Sequence, residues 1–189
     1  MRKLNMFNSV TLDGYFTSDK NDMSWAHEGS DDPEFQAFVE GNAGGGGSLL
    51  FGRVTYQMMA SYWPTPMAAK NNPTVAEGMN QMPKIVFSRT LDKAKWNNTR
   101  LIKGDLVDEV RKLKAEPGND ITILGSGSIV AQLAQQNLID NYQLVVTPVV
   151  IGKGRTLFED LQQKLPLKLT SSRAFRNGKV VLNYESKHV

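Results

Sequence analysis

The sequence predicts an α/β protein: a mainly parallel central sheet flanked by helices, with an antiparallel hairpin at the C-terminal end. Three observations predict it. Short apolar runs lead through glycine or serine turns toward helical patterns at residues 48–56, 84–91 and 121–133, three strand-to-helix junctions of one kind. The run Ile85-Val86-Phe87 is apolar without alternation, as in a parallel strand buried on both faces. The last part of the chain is β-rich, and Asn177-Gly178 is a two-residue turn signal between strands at 167–175 and 179–184. No internal repeat or domain break divides the chain, so residues 1–189 read as one domain.

Residues 3–10 suit a first strand, with Leu4, Met6 and Asn8 facing one way. Asp13-Gly14 is a turn signal at which Gly14 accepts a positive φ. Residues 17–32 are polar and weakly periodic; a long segment of this kind is often a functional lid. Its Trp25 has two readings, closure over a ligand or anchorage on the core. Asp31-Asp32-Pro33-Glu34 starts a helix whose buried stripe is Phe35, Phe38 and Val39. The glycines at 44–47 then read as a mobile connection; no Lys-Ser/Thr pair follows to make them a phosphate loop.

At the first junction Gly52 permits close backbone approach. Arg53 at a helix start opposes the helix dipole, which suggests that it is aimed at an anion, and Thr55 can hydrogen-bond at the same turn. Tyr62-Trp63-Pro64 ends that helix, and residues 70–81 read as surface structure with some helical turn. Ser88, Arg89 and Thr90 lie just past the carboxyl end of the next strand, where open parallel sheets bind ligands. A guanidinium beside a hydroxyl suits a terminal phosphate, which the planar fork can grip bidentately. A short strand at 100–102 and a helix through Leu106, Val110 and Leu113 follow, closed by Pro117-Gly118-Asn119.

The stretch around which the chain is organised is Ile121-Thr-Ile-Leu-Gly-Ser-Gly-Ser-Ile-Val-Ala-Gln-Leu. Gly125 and Gly127 allow a sharp turn, and Ile129, Val130, Leu133, Ala134 and Leu138 recur on one helical face. A helix that begins there offers unpaired N–H groups and its positive dipole end, which suits a phosphate or pyrophosphate. The hydroxyls of Ser126 and Ser128 can cap the helix or donate to the same anion. Residues 143–151 read as a long strand with an edge or bulge at Pro148, followed by a tight turn carrying Lys153 and Arg155.

Composition narrows the functional classes. Apolar residues make up 40% of the 189 and charged ones 22%, enough for a sizeable core. The net charge is +3 with Lys and Arg scattered, so no basic stripe points to nucleic acid. With no cysteine, disulfides, thiolate metal sites and a cysteine nucleophile are excluded. No signal-like or membrane-length apolar run occurs, and the expectation is a cytoplasmic protein without a membrane or nucleic-acid partner.

Ser9-Val-Thr-Leu-Asp-Gly, Leu50-Phe-Gly-Arg-Val-Thr-Tyr, Val86-Phe-Ser-Arg-Thr-Leu, Leu124-Gly-Ser-Gly-Ser-Ile and Val146-Thr-Pro-Val-Val-Ile-Gly-Lys-Gly-Arg-Thr-Leu-Phe occur in that order. This ordered set resembles the dihydrofolate reductase-like superfamily. Within it the chain is most similar to the C-terminal reductase domain of the bifunctional riboflavin-biosynthesis deaminase/reductase. The resemblance implies an NADPH site. Gly52, Arg53 and Thr55 would lie along the phosphates, Ser88, Arg89 and Thr90 at the adenosine 2′-phosphate, and Gly125, Ser126, Gly127, Ser128 and Ile129 around the pyrophosphate. Val10, Thr11, Asp13 and Gly14 would border nicotinamide and substrate. A homodimer is common in such a family. Three features depart from it: Ser126 stands within the usual double glycine, the glycines at 44–47 before the second strand are more than is usual, and without cysteine the zinc-deaminase signature cannot exist here.

The chemistry implied is hydride transfer to a carbonyl or imine of a small pterin- or ribitylaminopyrimidine-like substrate, as in an amino(phosphoribosylamino)uracil reductase. Asp13 is the candidate proton donor or substrate anchor, and Trp25 a candidate substrate contact. No metal site is expected. Arg155 has two readings, a substrate phosphate or solvent. The alternatives are a dihydrofolate reductase, against which the lack of a clear counterpart of the folate enzymes' Trp-x-x-Pro loop counts, and an NADPH-binding protein without turnover.

Overall fold

The computed structural model describes residues 1–189 except Ser30, Asp160, His188 and Val189. The chain runs β1 (Leu4–Thr11), β2 (Thr17–Ser18), a 3-10 turn (Ser24–His27), α1 (Pro33–Ala43), β3 (Ser48–Gly52), α2 (Arg53–Tyr62), α3 (Pro66–Asn71), α4 (Pro73–Gln81), β4 (Lys84–Phe87), β5 (Thr99–Ile102), α5 (Leu106–Ala115), β6 (Ile121–Leu124), α6 (Gly127–Gln135), β7 (Asn141–Thr147), β8 (Gly154–Arg155), β9 (Leu167–Ala174) and β10 (Val180–Ser186).

An eight-stranded sheet has the order β5-β4-β3-β6-β1-β7-β10-β9. All neighbours from β5 to β7 are parallel; β10 and β9 add on antiparallel. The chain therefore builds outward from β3 to β5 and returns to insert β6 between β3 and β1. It then continues on the far side with β7. That reversal around β6 opens a crevice at the carboxyl ends of the strands.

Residue choice explains the two buried layers. Leu4, Met6 and Asn8 of β1 are all buried, as the alternation predicts. Leu4 and Met6 join Ile121 and Ile123 of β6 in a core with Ile129, Val130 and Leu133 of α6 and Val110 and Leu113 of α5. Burying each such aliphatic side chain is worth about 1.5–3 kcal/mol, so the α6 face anchors the turn that precedes it. On other parts of the sheet Phe51, Tyr56, Val86 and Trp96 pack with Val75 and Met79 of α4, and Phe35 of α1 packs with Val145, Phe175 and Val181. α1 starts as its residues dictate: Asp32 Oδ1 accepts the amides of Glu34 and Phe35 at 2.9 and 3.2 Å, with Pro33 in the first turn.

Several expectations are corrected. β4 is not followed by a helix; residues 88–98 loop directly to β5, because Ser88 Oγ accepts the amides of Thr90 and Leu91 and makes a local turn. Residues 70–81 are not merely surface: α4 buries Val75, Ala76 and Met79. Pro148 is neither bulge nor edge; β7 ends at Thr147, before the residue that has no N–H to give. The glycines before β3 are not a free tether. Asn119 Nδ2 donates to the Gly46 carbonyl at 2.7 Å, and a Cβ on Gly47 would lie 2.8 Å from the Asp120 carbonyl oxygen. The hairpin loop is longer than two residues: Gly178, at φ +84, donates to the Phe175 carbonyl, and the Phe175 amide donates to the Lys179 carbonyl.

Candidate functional site

The carboxyl ends of β4, β3, β6 and β1 stand side by side. They bring Ser88, Gly52, Gly125 and Thr11 into one row across three inter-strand spacings, roughly 14 Å. At the β4 end, Ser88, Arg89 and Ile129 line a cleft of about 300 Å³ together with Phe87, Gly104, Asp105 and Gln132. Arg89 is exposed and Ser88 half-buried. The Ser88 amide donates to Ile102 O at 3.1 Å, which fixes the loop against β5. Sequence reasoning missed Asp105 and Gln132. Asp105 Oδ1 accepts the amides of Val107 and Asp108 at 3.0 and 3.1 Å, so this carboxylate serves the start of α5, whose dipole offsets its charge.

The β6–α6 junction turns through two consecutive left-handed residues, Gly125 at φ +58 and Ser126 at φ +59. Gly125 meets a second demand, since a Cβ there would lie 3.0 Å from Thr55 Cγ2. Gly127 is not a turn residue but the first residue of α6, and its missing side chain makes room for Phe16: a Cβ would approach two ring carbons to 2.7 Å. Ser126 does not cap α6 with its side chain. From the left-handed backbone its Oγ reaches across to the β3–α2 junction, accepting the Gly52 amide at 2.7 Å and donating to Thr55 Oγ1 at 3.0 Å. Its carbonyl accepts the Ile129 and Val130 amides, which leaves the Gly127 and Ser128 amides without intrahelical partners. Ser128 is exposed at this first turn. Arg53 is exposed too; its Nη1 donates to Gln57 Oε1 at 3.2 Å.

At the β1 end Thr11 is buried and Val10 half-buried. Thr11 Oγ1 accepts the Tyr15 amide at 2.9 Å, and Gly14 has φ +89. Asp13 Oδ2 accepts the Gly152 and Ile151 amides at 2.8 and 3.2 Å. The Thr11 hydroxyl, then these backbone amides, hold the Asp13 carboxyl below the usual carboxylate range. An ionised Asp13 has no proton to donate at neutral pH, and its geometry ties the loop after β1 to the loop after β7. Arg155 pairs with Glu159 at 3.3 Å.

Trp25 is 4% exposed, so the geometry favours anchorage over a swinging lid, although its Nε1 finds no partner among the described residues. A lysine that no sequence signal marked holds this segment. Lys179, 1% exposed, donates from Nζ to the Ala26 carbonyl at 2.6 Å and lies 4.9 Å from the Phe35 ring centroid. Asn177 Nδ2 adds a bond to the Gly29 carbonyl at 2.8 Å. In sequence Arg176-Asn-Gly-Lys looks like an ordinary solvated turn. Among the described residues there is no cluster of acidic or histidine side chains fit for a metal ion, and no helix long and apolar enough to cross a membrane.

The model of the RibD C-terminal domain family matches residues 2–181. The chain belongs to the RibD C-terminal domain family. It is 30% identical over 178 residues to the uncharacterized protein YyaP of Bacillus subtilis (strain 168), covering 93% of this chain and 90% of YyaP. A solved structure from Shewanella sp. PV-4, of a protein named provisionally for riboflavin biosynthesis, superposes with a TM-score of 0.74 at 23% identity, covering 98% of this chain and 99% of that one. Dihydrofolate reductase from Enterococcus faecalis, complexed with NADP(H), shares the fold at a TM-score of 0.66 and 14% identity, covering 98% and 97%. The RibD C-terminal domain fold thus carries the dihydrofolate reductase-like architecture, and the resemblance read from the ordered motifs holds over nearly the whole chain.

Proposed function

We propose that this RibD C-terminal domain protein is an NADPH-dependent reductase acting on a carbonyl or imine of a small pyrimidine- or pterin-like substrate. The observation that carries the reading is the cleft of about 300 Å³ in which Ser88 and Arg89 meet Ile129 of the first turn of α6. A dinucleotide phosphorylated on its ribose needs two anion sites of this kind, one for a terminal phosphate and one for a pyrophosphate. Arg89 with Ser88 would grip the first. The open amides of Gly127 and Ser128, at the positive end of α6, would face the second. Membership of the family supports the reaction class, and the fold shared with a reductase complexed with NADP(H) supports the cofactor.

When bound, the nicotinamide supplies the hydride. The chain's own contribution is placement. Val10 and Thr11, at the end of β1, would border the ring and substrate, and the segment carrying Trp25 would keep water out. With Asp13 ionised and its carboxylate tied to the Ile151 and Gly152 amides, water would supply the proton that completes the reduction. The test is turnover: incubation with NADPH and a panel of oxidised pyrimidines and pterins, dihydrofolate and an amino(phosphoribosylamino)uracil included. NADPH loss matched by an equal amount of reduced product supports the reading; no turnover across the panel, with NADPH bound, contradicts it.

A further inference from the structure

One side chain joins the start of α6 to the start of α2. Ser126 Oγ accepts the Gly52 amide at 2.7 Å and donates to Thr55 Oγ1 at 3.0 Å. Thr55 Oγ1 therefore accepts the Ser126 hydrogen bond, and its own O–H points elsewhere. Hydrogen bonds running in one direction polarise each successive donor, so the chain from Gly52 through Ser126 strengthens the Thr55 hydroxyl as a donor. Ser126 makes both bonds from a left-handed backbone, φ +59 and ψ +61, which is disfavoured for a residue with a Cβ. A glycine would adopt that conformation with ease and leave the Gly52 amide and Thr55 unjoined.

We propose that Ser126 is a positioning residue that aims the Thr55 hydroxyl at an anionic oxygen seated on the first turn of α6. On the cofactor reading above, on which this inference rests, that oxygen belongs to the pyrophosphate of NADPH. Thr55 is the contacting group, and Ser126 acts through it. Gly125 must be glycine for the same arrangement, because a Cβ there would come within 3.1 Å of Thr55 Oγ1.

The experiment is an NADPH titration of the wild type, Ser126→Gly, Thr55→Val and the double variant. Each single change is expected to raise the Kd roughly tenfold, the scale of one hydrogen bond to a charged oxygen. The double variant is expected to bind no more weakly than Thr55→Val alone, because the two residues act in series. Adenosine 2′-phosphate, which lacks the pyrophosphate, is expected to bind wild type and Ser126→Gly alike. A cofactor-free readout accompanies these: the Gly52 amide exchanges slowly with solvent in the wild type and faster in Ser126→Gly, with the melting temperature little changed. An NADPH affinity in Ser126→Gly within about twofold of wild type, additive losses in the double variant, or unchanged Gly52 exchange overturns the positioning role and leaves the cofactor reading standing. A wild type that binds no NADPH overturns both.

Discussion

Lys84 is a charge the fold encloses: 1% exposed, its Nζ donates to the carbonyls of Asn80, Met82 and Asn97 at 3.1, 2.7 and 3.2 Å and sits 4.5 Å from the Trp96 ring centroid. Those acceptors oppose desolvation without cancelling it, and burial pushes the ammonium down to about 8. The unfolded chain keeps this proton up to the ordinary 10.5, whereas the folded chain releases it near 8, so between those values the lysine's contribution to stability rises with pH. Lys84→Met should abolish that rise and cost about 1–3 kcal/mol at neutral pH, because three carbonyls lose a buried donor. Urea unfolding of both proteins at neutral and mildly alkaline pH checks this; identical pH slopes would refute it. Nothing in the sequence marked Lys84 or Lys179 as buried. A lysine's enclosure depends on carbonyls supplied by distant loops, which no local pattern reports. Asp13 shows the same limit in reverse: its Asp-Gly turn was legible, but its ionised tether to Ile151 and Gly152 needed β1 and β7 to be adjacent.

At the scale of the element, the strand–glycine–helix stretch at 121–133 was legible as β6 and α6 because apolar periodicity and turn residues agree there. The roles of its glycines were only half legible. Gly125 and Ser126 make the turn, while Gly127 is helical and small for the sake of Phe16, a residue over 100 positions away in sequence. Gly127→Ala should therefore destabilise by overpacking, about 1–3 kcal/mol, despite alanine's better helix propensity. Denaturant unfolding measures it; an unchanged or raised midpoint would show that Phe16 yields without cost. The absent helix after β4 has a similar origin. In sequence Ser88 reads as a ligand residue, and its hydroxyl also turns the backbone away from helix, a competition that propensity alone does not settle.

For the whole molecule, the parallel sheet with its antiparallel addition was legible from buried runs and the Asn-Gly turn, but the strand order was not. The insertion of β6 between β3 and β1 creates the crevice, and it follows from which faces must be buried together rather than from any one segment. That topology draws residues from 52 to 129 to one edge and makes a cleft of Ser88, Arg89 and Ile129. On the proposed function this edge would bind a phosphorylated dinucleotide. Its most direct measurement is a binding titration of NADPH and NADH against wild type and Arg89→Ala. Saturable NADPH binding by the wild type is expected, at least about tenfold tighter than NADH, with loss of that preference in Arg89→Ala and NADH binding unchanged. Absence of saturable binding, or NADPH affinity indifferent to Arg89, would contradict it.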